Sequence, residues 1–291
     1  MGYGSWNSSA YSVQSAVRSV QSREQVFQKR DVSKEFDPRL VEVRESLDSE
    51  DSPESTALIF ALDVTGSMGF IAEHIAKKGL GTLVQGILDT KPVSDPHIMM
   101  MGIGDINVDE APLQVTQFEA DNRISDQIVD IWLEGGGGGN DFESYDLAWL
   151  FAARKTKIDC FDKRGKKGYL FTIGDEEVPR ISSSKVIEKM TGMKIGQKLE
   201  REDALAAAQE KFEVFHVIVE QGNHMGYARD KTVSGWKKLL GKRAILLDNY
   251  KCISEVILSV IRVNEGADPQ TVIDSWQDKK AKESVKYALG L

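Results

Sequence analysis

The sequence predicts an α/β protein: a doubly wound, mostly parallel sheet flanked by helices, with an N-terminal extension. Three observations carry that expectation. Residues 57–62 are apolar at every position, the signature of a strand covered on both faces. Such runs alternate along the chain with segments whose apolar residues recur at helical spacing, the order that right-handed β–α–β crossovers leave in a sequence. The chain has 291 residues, 41% of them apolar, which is enough material for one large core.

Residues 1–55 are rich in Ser, Gln and charge and lack long apolar runs. Val13, Val17 and Val20 recur at helical spacing and predict a short amphipathic helix between 10 and 30. Glu42, Glu45, Asp48, Glu50, Asp51 and Glu54 face only Arg44, which predicts a solvated linker or an arm that orders on a partner. Residues 57–62 form the first buried strand and end at Asp63. Ile71, Ile75, Leu80, Leu83, Val84, Ile87 and Leu88 predict an amphipathic helix of about five turns. Residues 97–105 read as a second strand, and 113–118 alternate as an edge strand with one wet face would. Helices are expected over 124–133 and 143–156, on either side of a glycine run. Residues 168–175 give another buried strand that stops at an acid. A helix over 200–211, strands over 214–219 and 244–248, and a helix over 252–262 complete the pattern. The organisation expected is an arm or linker over 1–55, a sheet domain over 56–263 and a charged, helical extension over 264–291.

Composition narrows the function. With 37 basic and 45 acidic side chains the net charge is −8, a poor balance for gripping phosphates, so no nucleic-acid partner is expected. The cluster Lys163, Arg164, Lys166 and Lys167 reads as a solvated turn. No window holds 18 uninterrupted apolar residues, and the N-terminus has neither the basic start nor the apolar stretch of a secretory leader. A cytoplasmic protein with no membrane partner is therefore expected. Cys160 and Cys252 lack C-x-x-C spacing, and a reducing compartment is the simpler reading. His74, His97, His216 and His224 show no zinc-ligand spacing, and His216 reads as a core residue. Met99, Met100 and Met101 read as core filling. No G-x-S-x-G nucleophile elbow is present, and the glycine run lacks the order and the Lys of a phosphate loop. The chain is not expected to be an enzyme.

The sharpest motif is Asp63-Val64-Thr65-Gly66-Ser67, between a buried strand and an amphipathic helix. A carboxylate at i with hydroxyls at i+2 and i+4 offers three hard oxygens that converge when the chain loops over a strand end, which suits Mg²⁺ or Mn²⁺. The competing reading is that Thr65 or Ser67 caps the next helix. Asp63, Asp105 and Asp175 each end a strand, and doubly wound sheets bind ligands beyond those ends. Carboxylates gathered at one rim call for a cation. Asp175 is expected to serve as a ligand, direct or through water, or else to cap its own turn. Between the two helices lie five glycines followed by Asn140, Asp141, Phe142 and Glu143, where Asp141 could equally cap a helix.

Taken together these motifs resemble the von Willebrand factor A (vWA) family over about residues 56–263. Its metal-ion-dependent adhesion site combines an Asp-x-Ser-x-Ser loop after the first strand, a Thr from a glycine-containing loop and an Asp after the fourth strand. Asp63, Thr65 and Ser67 match the first loop, with Thr in place of one Ser, and Asp175 matches the last element. No Thr follows the glycines. Asn140-Asp141-Phe142-Glu143 instead resembles a Gly-Gly-Gly-Asp-x-Pro-Glu version found in part of the family. The resemblance implies a metal set of Asp63, Thr65, Ser67, Asp141 and Asp175, with Asn140 as second choice to Asp141 and with Asn140, Glu143 and Glu176 around it. The ion implied is Mg²⁺, with Mn²⁺ or Ca²⁺ as alternatives, completed by an Asp or Glu of a protein partner. Bacterial and phage-type members often act as intracellular adaptors, some with AAA+ ATPases of the MoxR kind, which makes such an ATPase one candidate partner. The alternative expectation is a structural or assembly component of a virion or particle, held through residues 1–55. A metal-dependent hydrolase ranks third.

Overall fold

The computed structural model describes residues 4–66, 68–135, 142–196 and 198–291. Its strands are β1 (Arg44–Ser46), β2 (Thr56–Asp63), β3 (Pro96–Ile103), β4 (Leu113–Val115), β5 (Thr156–Ile158), β6 (Gly168–Gly174), β7 (Phe212–Val219) and β8 (Ala244–Leu247). Its α-helices, in chain order, are α1 (Ser8–Ser19), α2 (Arg23–Val26), α3 (Gly69–His74), α4 (Leu80–Thr90), α5 (Arg123–Val129), α6 (Tyr145–Arg154), α7 (Asp159–Asp162), α8 (Ser184–Thr191), α9 (Arg201–Lys211), α10 (Met225–Leu240), α11 (Ile253–Asn264), α12 (Pro269–Ser275) and α13 (Lys279–Leu289).

Six strands form the main sheet in the order β4-β3-β2-β6-β7-β8, parallel throughout except for β4. The chain builds outward from β2 to β3 and then returns to the other side of β2 for β6, so strand order reverses between β2 and β6. In doubly wound sheets the crevice at such a reversal is where ligands sit. All eight residues of β2 are buried, as its unbroken apolar run requires. Leu58, Phe60 and Leu62 enter one core and Ala57, Ile59 and Ala61 the other, because side chains alternate across a strand. The first core lies under α3, α4, α5, α11, α12 and α13 and contains a ladder of stacked rings, Phe60, Phe171 and Phe215, on three adjacent strands. The second lies under α6, α8, α9 and α10.

The expected five-turn helix is present but interrupted. Between α3 and α4 residues Ile75–Gly79 adopt a π-turn, and the Ser254 hydroxyl donates to the Gly79 carbonyl at 2.8 Å. Extra-wide turns free a carbonyl, and a neighbouring hydroxyl satisfies it.

Three expectations need correction. The helix near residue 10 forms as α1, but Val13, Val17 and Val20 are 68%, 55% and 86% exposed, and Tyr11 is the side chain it buries. Residues 4–55 are not a loosely held linker. Val26, Phe27 and Phe36 are buried in the first core and Val41 in the second, and β1 pairs in parallel with β5. β4 has no wet face, since all three of its residues are buried, and its outer edge is also occupied: the Val115 N–H donates to Phe36 O at 2.9 Å and the Arg44 guanidinium to Val115 O at 3.0 Å. The N-terminal segment thus covers a sheet edge that would otherwise invite pairing.

Other readings hold. Cys160 and Cys252 are buried free thiols, and Met99, Met100 and Met101 lie in the cores. His216 is buried against Trp236, with Nδ1 at 2.8 Å from the Thr172 hydroxyl. Lys163, Arg164 and Lys166 of the basic cluster are exposed, as expected of a solvated turn, with Lys163 and Arg164 pairing with Asp48 and Lys166 with Glu265. No helix among the described residues is long and apolar enough to cross a membrane.

Candidate metal centre

Asp63 is the last residue of β2, the strand beside the reversal, and is 1% exposed. Its Oδ1 accepts from the Thr65 N–H at 2.9 Å and from the Thr65 hydroxyl at 2.6 Å. A hydroxyl that donates its proton to a carboxylate keeps its lone pairs for a cation. The capping alternative fails for Thr65: the N-cap of α3 is Met68, with no side-chain cap, and the Thr65 hydroxyl goes to Asp63. Ser67, Asn140 and Asp141 lie outside the described residues, so three members of the expected set have no assigned geometry.

Asp175 follows β6 and is fully buried. It does not cap its own turn. Its Oδ2 accepts at 2.9 Å from the main-chain N–H of His224, the residue that opens α10, where a helix N-terminus favours negative charge. Asp175 Oδ1 has no hydrogen-bond partner among the described residues. Glu143 is 6% exposed, and its Oε2 likewise lacks a partner. Glu176, also expected nearby, pairs with His224 Nδ1 at 3.1 Å, and its carbonyl accepts from the Trp236 indole.

The electrostatics are those of acids without a counter-charge. Burial drives the Asp63 carboxyl up to about 7; the Thr65 hydrogen bonds oppose the rise and the Asp175 charge adds to it. Burial also raises Asp175. Glu143 is pushed far above the usual carboxylate range by burial and then by Asp63, Asp109 and Asp105. Asp109 is raised by burial, though its Oδ2 accepts from the Asp105 N–H at 2.6 Å. Asp146 on α6 rises to about 7 for the same reason. No Lys or Arg forms an ion pair with Asp63, Glu143 or Asp175 among the described residues.

Several members of this constellation were not foreseen. Tyr145, fully buried on α6, donates its hydroxyl toward Asp63 Oδ2 at 3.4 Å. Two glycines make room for these groups. A Cβ on Gly174 would lie 1.9 Å from the Tyr145 hydroxyl, and one on Gly222 would lie 2.1 Å from Asp175 Oδ2. Gly174 ends a strand immediately before an acid, a signal that was available; Gly222 and His224 belong to the β7–α10 loop, which carried none.

The donor set fits a hard divalent ion. It offers carboxylate and hydroxyl oxygens, a buried carboxylate oxygen with no partner, and surplus negative charge. Among the described residues no three carboxylate, imidazole or thiol side chains stand close enough to hold an ion by themselves, so a centre here must draw on hydroxyls and water as well.

No family model and no characterised protein matches this chain. Solved structures do align with it. The pilus adhesin SpaC from Lactobacillus rhamnosus GG, in its open conformation, is 12% identical over 72% of this chain, with a TM-score of 0.49. A second form of that adhesin gives 10% identity over 72% and a TM-score of 0.48. BatB from Bacteroides thetaiotaomicron, a conserved hypothetical protein, gives 14% identity over 56% and a TM-score of 0.32. The aligned part is 30% of the adhesin's own length. Likeness at these scores supports no inference about function.

Proposed function

We propose that this protein is a non-enzymatic, metal-dependent protein-interaction module of the vWA type. A Mg²⁺ ion, or Mn²⁺ or Ca²⁺ in its place, is held by Asp63, Thr65 and Ser67, with Asp175 direct or through water and with Asp141 or Asn140 from the glycine loop. Glu143 and Glu176 surround it, and an Asp or Glu of a partner protein completes the coordination. An AAA+ ATPase of the MoxR kind remains a candidate partner.

The observation that carries this reading is the pair of buried acids at the strand reversal, Asp63 and Asp175. One is bound to a hydroxyl two residues along, and the other keeps an oxygen without a partner. Buried carboxylates left uncompensated are costly, and a divalent ion offsets that cost. Hydroxyl and water ligands leave the ion electrophilic enough to accept one more carboxylate, whereas an all-carboxylate cage would quench it.

Calorimetric titration of the full chain with Mg²⁺ tests the reading. One site is expected in the wild type and none in Asp63→Ala, with circular dichroism unchanged. Unchanged metal affinity in Asp63→Ala contradicts it. The assembly-component reading has one observation in its favour, the exposed valine stripe of α1. It predicts metal-independent self-association in gel filtration, abolished by Val17→Glu.

A further inference from the structure

The cavity beside the Asp63 loop has a wall that the sheet does not supply. A space of about 190 Å³ is bounded by Val64, Thr65 and Gly66 on one side and by Arg23, Phe27 and Arg30 of the N-terminal segment on the other. Small-molecule sites span roughly 300–1,000 Å³, so this one suits a single side chain rather than a cofactor. Gly66 is exposed and leaves the mouth open, while Phe27, 2% exposed, gives the wall a fixed apolar base.

The two guanidinium groups are placed differently. Arg23 is tied down: its Nε meets Glu73 Oε2 at 3.0 Å, and a Cβ on Gly69 would lie 3.0 Å from its Nη1. Arg30 donates from Nη1 only to main-chain carbonyls, those of Phe27 at 3.2 Å and Lys29 at 3.0 Å, and pairs with no carboxylate among the described residues. Glu24, on the same wall, accepts from the Ser22 hydroxyl at 2.8 Å. Arg30 therefore presents a planar donor fork beside the loop that the metal reading assigns to the ion, and carboxylates match that fork. The chain as a whole carries −8, which repels an acidic partner and makes local positive charge the means of capture.

We propose that Arg30, held by the Phe27 and Lys29 carbonyls, binds a second carboxylate of the same partner whose first carboxylate completes the ion, so that the ligand is an acidic peptide with neighbouring Asp or Glu residues. The inference rests on the metal reading, and it gives the covering N-terminal segment a binding role besides its structural one.

The test uses the full chain and two end-blocked fluorescent probes, hexaglutamate and a hexapeptide with one Glu among glycines. Anisotropy is read in saturating Mg²⁺ and in EDTA. The advantage of hexaglutamate over the single-Glu probe is expected to shrink about tenfold in Arg30→Gln and to persist in Lys242→Gln, an exposed cation removed from the cavity. Arg30 is exposed, so the core is untouched by its replacement. The inference is overturned if Arg30→Gln leaves the advantage intact, if Lys242→Gln erodes it equally, or if the wild type fails to bind hexaglutamate. Binding that needs Mg²⁺ but ignores Arg30→Gln sinks the arginine subsite and spares the metal reading. Binding that ignores EDTA but is weakened by Arg30→Gln shows an arginine site that works without an ion, and overturns both the metal reading and the two-carboxylate inference.

Discussion

Asp48 and Asp63 sit at opposite ends of β2, and the fold treats their charges in opposite ways. At the amino end, Asp48 accepts from the Ser55 N–H at 3.1 Å and hydroxyl at 2.8 Å, and pairs with Arg164 at 2.7 Å and Lys163 at 3.3 Å. Burial pushes its carboxyl up, but the hydrogen bonds from Arg164, Ser55 and Lys163 prevail and hold it well below the usual range. At the carboxyl end, Asp63, Asp175 and Glu143 suffer much heavier desolvation with no Lys or Arg ion pair among the described residues, and all three are raised. The contrast separates a half-buried acid that the chain neutralises itself from deeply buried acids that it does not. A structural acid is neutralised within the chain. An acid that binds something is left with charge and lone pairs for what arrives from outside.

The comparison can be broken by swapping the fates of the two acids. Asp63→Asn removes a charge that costs the metal-free fold. It is expected to raise unfolding free energy by about 2–4 kcal/mol at pH 8 in EDTA, by denaturant titration, while abolishing metal binding. The same measurement on a structural acid, Asp48→Asn, should show a loss of stability. Gly222→Ala drives a methyl into Asp175 and is expected to lower stability by about 1–3 kcal/mol and to weaken Mg²⁺ affinity, since Asp175 must move. Arg164→Ala strips the amino end of its guanidinium and is expected to cost about 1–2 kcal/mol with no change in metal affinity.

The smallest effect is on pH dependence. Below about pH 4 Asp63 is protonated whether the chain is folded or not; between about 4 and 7 only the folded form keeps its proton. Metal-free stability should therefore fall as pH rises through that window. Mg²⁺ competes with the same proton, so its affinity should be about tenfold weaker at pH 6 than at pH 8. Affinity that is flat across this range would place the Asp63 proton elsewhere.

The central strands were legible because burial on both faces leaves no choice of residue. β2, β3 and β6 are buried along almost all their length and mostly apolar, and each runs into an acid at the rim, which made Asp63, Asp105 and Asp175 visible together. The π-turn was not legible, since Ile75–Gly79 keeps the helical spacing of its neighbours. α10 went unread because it buries only Met225, Thr232, Val233, Trp236 and Leu240 among many charged residues, too sparse a stripe for periodicity. The N-terminal segment was misread for a related reason. Its anchors, Tyr11, Val26, Phe27, Phe36 and Val41, are single residues spread over a polar stretch, and composition averages them away. At the site, the acids that follow strands could be read from local order. Tyr145, Gly222 and His224 could not, because they reach the rim from elements distant in sequence and look like ordinary core or loop residues.

Anomalous diffraction from crystals of the full chain grown with Mn²⁺ tests the central claim most directly. The account predicts one strong peak at the carboxyl end of β2, coordinated by the Asp63 carboxylate and the Thr65 hydroxyl and facing Asp175. A map with no peak there, while Asp63 and Asp175 keep their present positions, would contradict it.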